Sequence, residues 1–102
     1  MANEVIPEAL RRRYIDSFPG KRAALEAAIG NLGNPDVEAA QVLRQLAHKL
    51  AGSAGMYGFD DIGHLAREVV HAIDAGAGAS ILTGLSRDLV SRLVCADASL
   101  ER

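Results

Sequence analysis

The stretch that decides the fold runs Ala39-Ala40-Gln41-Val42-Leu43-Arg44-Gln45-Leu46-Ala47-His48-Lys49-Leu50-Ala51-Gly52-Ser53-Ala54-Gly55-Met56-Tyr57-Gly58. On a helix of about 100° per residue, with His48 set at zero, Ala39, Leu43, Leu46, Leu50 and Tyr57 fall between about 160° and about 220°. That is one apolar stripe, as a helix packed on a core requires. His48 lies opposite it, with Gln41, Arg44, Gln45, Gly52 and Gly55 on its own side. The face is polar or bare, so the imidazole is expected to stand in water. Two glycines there are unusual, because glycine inside a helix costs roughly 0.5–1 kcal/mol against alanine. They are expected to keep the surface beside His48 flat, so that a partner can bring its backbone or a bulky active site up to the ring. A helix end or a close helix–helix crossing is the other account of them.

Working outward, the punctuation divides the chain into amphipathic helices. The first spans Pro7 to Leu32, with Leu10, Tyr14, Phe18, Leu25, Ile29 and Leu32 in phase. Pro19-Gly20 interrupts it, which gives one kinked helix or two abutting ones. Asn34 is expected to cap the second helix, with Pro35 at its first position and Asp36 and Glu38 at the positive end of the dipole. That helix runs to about Met56 and Gly58 closes it. Asp60 is expected to cap a third helix carried by Ile62, Leu65, Ala66, Val69 and Ile73. Residues 75–78 form a turn. Ser80 caps a last helix with Leu82, Leu85, Leu89, Leu93 and Ala96 on one face, and Ser99 to Arg102 fray. The fold expected is all-α, an antiparallel up-down-up-down four-helix bundle with an N-terminal helical extension or a kinked first helix.

Composition agrees and excludes several classes. The chain has 18 Ala and 12 Leu but four aromatic residues, and its β-branched residues form no alternating run. At 102 residues it is one domain, read as 1–102, large enough to bury a core without staples. The net charge of −2 argues against a nucleic-acid binder that works by neutralising phosphates. Cys95 is the single cysteine, so a disulfide framework and a multi-cysteine zinc site are excluded and a reducing cytoplasm is the expected home. The first ten residues hold two acids and no apolar run, unlike a signal peptide, and no stretch has the ~18 apolar residues of a membrane span. Cys95, beside Val94 and Ala96, reads as a small buried hydrophobe.

Other candidate sites are weaker. His64 and His71, with Glu68 between them, are seven apart on one helix, about 10 Å by rise, too far to share one ion. They face outward and read as solvated surface, and no metal is expected. No nucleotide-binding glycine motif follows a strand, so the chain is not a kinase by itself.

The run at 48–58 resembles the signature of the histidine-containing phosphotransfer (HPt) domains of bacterial phosphorelays, most specifically at His48, Leu50, Gly52, Ser53, Gly55 and Gly58. The resemblance implies a phosphocarrier without autonomous kinase activity or cofactor. His48 would accept a phosphoryl group from an aspartyl phosphate on a receiver domain and pass it to another. The partners implied are receiver domains of response regulators or hybrid histidine kinases, with the receiver bringing the acyl phosphate, the metal ion and a cation. No nucleic acid or membrane is implied, and a stand-alone monomer is expected. One departure matters: many members carry a lysine three residues after the histidine, where this chain has Ala51. Lys49 and Arg44 are the nearest cations in sequence and are expected to stabilise phosphohistidine, Lys49 partly replacing the lysine missing from position 51. If the second and third helices form a hairpin about Gly58, His48 lies level with residues 67–69, so Glu68 or Arg67 is expected to orient the ring. The docking face expected around His48 comprises Gln41, Gln45, Ala51, Gly52, Gly55 and Met56. The alternatives are a helical adaptor without chemistry, or the phosphotransfer module of a chemotaxis-type histidine kinase.

Overall fold

A computed structural model of the chain describes residues 7–34 and 38–100, with side chains through residue 97. The elements are α1 (Glu8–Asp16), α2 (Phe18–Gly30), α3 (Ala39–Ala54), a single 3₁₀ turn (Gly55–Tyr57), α4 (Asp60–Asp74) and α5 (Ala79–Leu100). No strand occurs among the described residues. Helices α2 to α5 form the bundle in a ring: α3 and α5 each pack between α2 and α4. Helix α1 extends the bundle at its N-terminal end.

The core follows the apolar stripes. Phe18, Leu25, Leu43, Leu50, Ile62, Val69, Leu82, Leu89 and Leu93 are buried in one cluster. The ion pairs Arg22–Asp97 and Arg92–Asp61 tie α2 and α4 to α5 at the rim of that core.

The first helical stretch resolves into two abutting helices that break at Ser17, two residues before Pro19. Pro19 falls in the first turn of α2, where its missing N–H costs no helical hydrogen bond. Ser17 knits the joint: its hydroxyl donates to the Tyr14 carbonyl and accepts from the Lys21 ammonium.

Several boundaries depart from expectation. Helix α3 starts at Ala39 with Glu38 in the cap position, so Asn34 does not cap it; Pro35 and Asp36 lie outside the described residues. Ala39 is the first residue of this helix that the bundle buries, and tertiary packing outweighs a favourable cap sequence. Asp60 and Ser80 stand inside the first turns of α4 and α5, and Phe59 holds the cap position of α4. Asp61 serves that end instead, its carboxylate accepting the Ile62 N–H at 2.9 Å. Helix α5 continues to Leu100, and residues 101–102 lie outside the description. Leu10 and Cys95 are exposed rather than buried. Cys95 lies about 200° round α5 from Leu93, so an apolar run in sequence is split between two faces of the helix.

Candidate functional site

Helix α3 carries the candidate histidine, and its far end is fixed by an aromatic cluster. All four aromatic residues of the chain gather there. The Tyr14 ring stacks on Tyr57 at 4.2 Å, Phe18 meets Tyr14 edge-on at 5.3 Å, and Phe59 meets Phe18 at 5.6 Å. Arg11 lies 4.6 Å over the Phe59 ring while its Nε donates to the Tyr57 carbonyl at 3.1 Å. Tyr14 and Ser53 share a hydrogen bond of 2.6 Å between their hydroxyls. Partial burial raises the Tyr14 hydroxyl above its ordinary pKa, and the Ser53 bond opposes that shift. Gly58 adopts φ 86°, the left-handed conformation that lets the chain turn back into α4. The Arg11–Tyr57 and Tyr14–Ser53 hydrogen bonds were not foreseen from the sequence, because they join residues 46 and 39 positions apart.

Upstream of this clamp, His48 is exposed on a regular stretch of α3. Gln41, Gln45, Lys49, Gly52, Gly55 and Met56 are exposed with it, Met56 by 67%. A methyl group at Gly52 would meet nothing within 4 Å, so the surface one turn beyond His48 is bare. Gly55 ends α3, which accounts for that second glycine as a helix terminus.

His48 is not directly opposite the core. Ala47 and Ala54 are fully buried, so the buried arc extends about 100° past Leu46 toward α4. The cause is a close α3–α4 seam. Gly63 of α4 faces the Ala51 carbonyl oxygen, the Ala54 methyl group and the Gly55 nitrogen, and a methyl group placed on it would stand 3.6–3.7 Å from them. His48 therefore leans to the α4 side of the exposed face. Ala51 is half-buried in this seam.

Two of the expected phosphoryl partners, Arg44 and Glu68, have contacts of their own, and the third, Lys49, borders a groove. Arg44 is held by Asp74 of α4 in a two-point pair, Nε to Oδ1 at 2.7 Å and a terminal nitrogen to Oδ2 at 3.0 Å. That hydrogen bond raises the Arg44 pKa and lowers that of Asp74. Glu68 faces His64, its carboxylate 3.3 Å from Nε2. Lys49 borders a groove of about 430 Å³ between α3 and the α1–α2 joint, with Tyr14, Lys21, Ser53 and Tyr57. Burial lowers the Lys21 pKa there.

His71 is exposed, and no cluster of three or more His, Cys, Asp or Glu among the described residues is placed to hold a metal. No described helix is long and apolar enough to cross a membrane.

Neither a curated protein nor a solved structure matches the chain significantly. The family profile described as Hpt domain matches residues 9–94, from the second residue of α1 to the body of α5, and so takes in the whole bundle and the His48 helix. An exposed histidine amid a helical bundle and a profile spanning that bundle agree: the chain belongs to the Hpt domain family, the histidine phosphotransfer modules of two-component systems.

Proposed function

We propose that the protein is a phosphorelay intermediate in which His48 accepts a phosphoryl group from an aspartyl phosphate of one receiver domain and hands it to another. The observation that carries this is the exposure of His48 in the middle of α3 beside the bare surface at Gly52. In the forward step the lone pair of the unprotonated ring nitrogen attacks phosphorus. The bond from phosphorus to the aspartyl oxygen breaks, and the carboxylate leaves with the electron pair. The second ring nitrogen keeps its proton, so no general base is needed. Transfer onward is the reverse step toward a different aspartate. Such chemistry asks chiefly for positioning and charge neutralisation. The aromatic clamp and the close α3–α4 seam support the positioning by fixing the helix that bears the ring.

The docking face is formed by Gln41, Gln45, Gly52, Gly55 and Met56 around His48, with Ala51 at its α4 edge. An exposed Met56 within a polar rim suits a transient interface. Arg44 shapes the edge of this face as the Asp74 pair, and Glu68 serves as the partner of His64. The chain acts as substrate and donor, without kinase activity of its own.

The test is a two-step transfer. A phosphorylated receiver domain should pass label to this chain, and the purified labelled chain should pass it to a second, unphosphorylated receiver. A chain that binds receivers yet never takes label would contradict the proposal and favour an adaptor.

A further inference from the structure

We propose that Arg67 of α4 is the cation that meets the phosphoryl group on His48; this rests on the phosphotransfer reading and assigns the charge partner within it. Phosphorylation would place up to about two negative charges on the exposed face. Three cations stand close enough in sequence or level to answer it. Arg44 is already forked onto Asp74. Lys49 lies about 100° round α3 from His48, on the side of the groove shared with Tyr14 and Lys21, away from the α4 side to which His48 leans. Arg67 remains.

Two contacts fix its place. Gly63 lies against Ala51, Ala54 and Gly55, and Asp74 is bonded to Arg44. The helices run antiparallel, so Arg67, between Gly63 and Asp74 in α4, lies level with the stretch of α3 from His48 to Ala51. The spacing of Gly63, Arg67 and Asp74 is i, i+4, i+11, which puts all three within about 40° on one side of α4. Two of the three demonstrably meet α3, so this side borders the α3–α4 groove. Arg67 is at its solvent edge, exposed and without a hydrogen bond or ion pair among the described residues. Across the groove stands Ala51, whose methyl group leaves space for a long side chain to cross. Glu68 is about 100° further round and is engaged with His64.

A guanidinium here does two things. It attracts the phosphoryl oxygens, favouring the phosphorylated form. It also disfavours a second proton on the phosphorylated ring by like-charge repulsion, which slows hydrolysis of the phosphorus–nitrogen bond.

The experiment loads the full chain from a phosphorylated receiver domain, removes the receiver and follows loss of label from His48. Thermal melts of each variant check the fold. Because the contact is solvent-exposed, Arg67→Ala and Arg67→Gln should shorten the label's half-life by about two- to fivefold, an effect that fades in high salt, and Arg67→Lys should restore most of it. An unchanged half-life in Arg67→Ala overturns the inference alone, and a shortening in Lys49→Ala instead would move the role to Lys49. Failure of the wild-type chain to take any label overturns the phosphotransfer reading and this inference with it.

Discussion

Arg44, one helical turn before His48, is locked to Asp74 by two short hydrogen bonds across the α3–α4 seam. The pair brackets the histidine on one side as the Tyr14–Ser53 bond does on the other. It also has a pH signature. The Asp74 carboxyl is held below the usual carboxylate range by the Arg44 hydrogen bond. A depressed folded-state pKa contributes stability above the unfolded value, and that stability is lost as the pH falls through the folded one. Asp74→Asn should thus lower the urea midpoint at pH 7, and the gap to wild type should close as the pH is taken down through and below the ordinary carboxylate range. A gap that stays constant to the acid end would mean the pair contributes by packing alone.

Gly52→Ala should stabilise the protein by up to about 1 kcal/mol, since its methyl group enters open space and alanine is the better helix former. Gly52→Gln should fold equally well but slow transfer by crowding His48. If the Gly52→Gln protein transfers at the wild-type rate, the reason given for the bare surface is removed.

Two other glycines separate conformation from space. Gly58 has φ 86°, so Gly58→Ala should destabilise by roughly 1–2 kcal/mol. Gly63 is helical, and an added methyl group finds ordinary contact distances at 3.6–3.7 Å. Gly63→Ala should therefore be neutral or slightly stabilising. Equal losses at both positions in denaturant melts would show that the seam is tighter than these distances.

Ser86 offers a gain in the core. Its hydroxyl is buried without a hydrogen-bond partner among the described residues, on the α5 face shared with Leu82, Leu89 and Leu93. Ser86→Ala removes an unsatisfied polar group and should stabilise by about 1 kcal/mol. A loss of that size would reveal a hydrogen bond formed in solution.

The bundle was legible because leucines at helical spacing mark most of the core: Leu43 and Leu50 on α3 and Leu82, Leu89 and Leu93 on α5 are all buried as their spacing predicts, Leu10 being the exception. The exposure of His48 and Gly52 followed from the same phase. Alanine carries no such signal, since it is at home on either face. Ala47 and Ala54 were therefore missed as core residues, and with them the tilt of His48 toward α4. The commitment of Arg44 to Asp74, and of Glu68 to His64 rather than to His48, depends on side-chain pairing that spacing does not determine. The Tyr14–Ser53 and Arg11–Tyr57 contacts depend on where α1 docks, which the break at Ser17 decides.

The central claim is that His48 alone carries the phosphoryl group, and the most direct test is labelling of the wild-type chain and of His48→Gln by a phosphorylated receiver domain. The account predicts acid-labile, base-stable label on the wild type and none on His48→Gln, with the two proteins melting alike. Label that persists in His48→Gln, or that maps to His64 or His71, would contradict it.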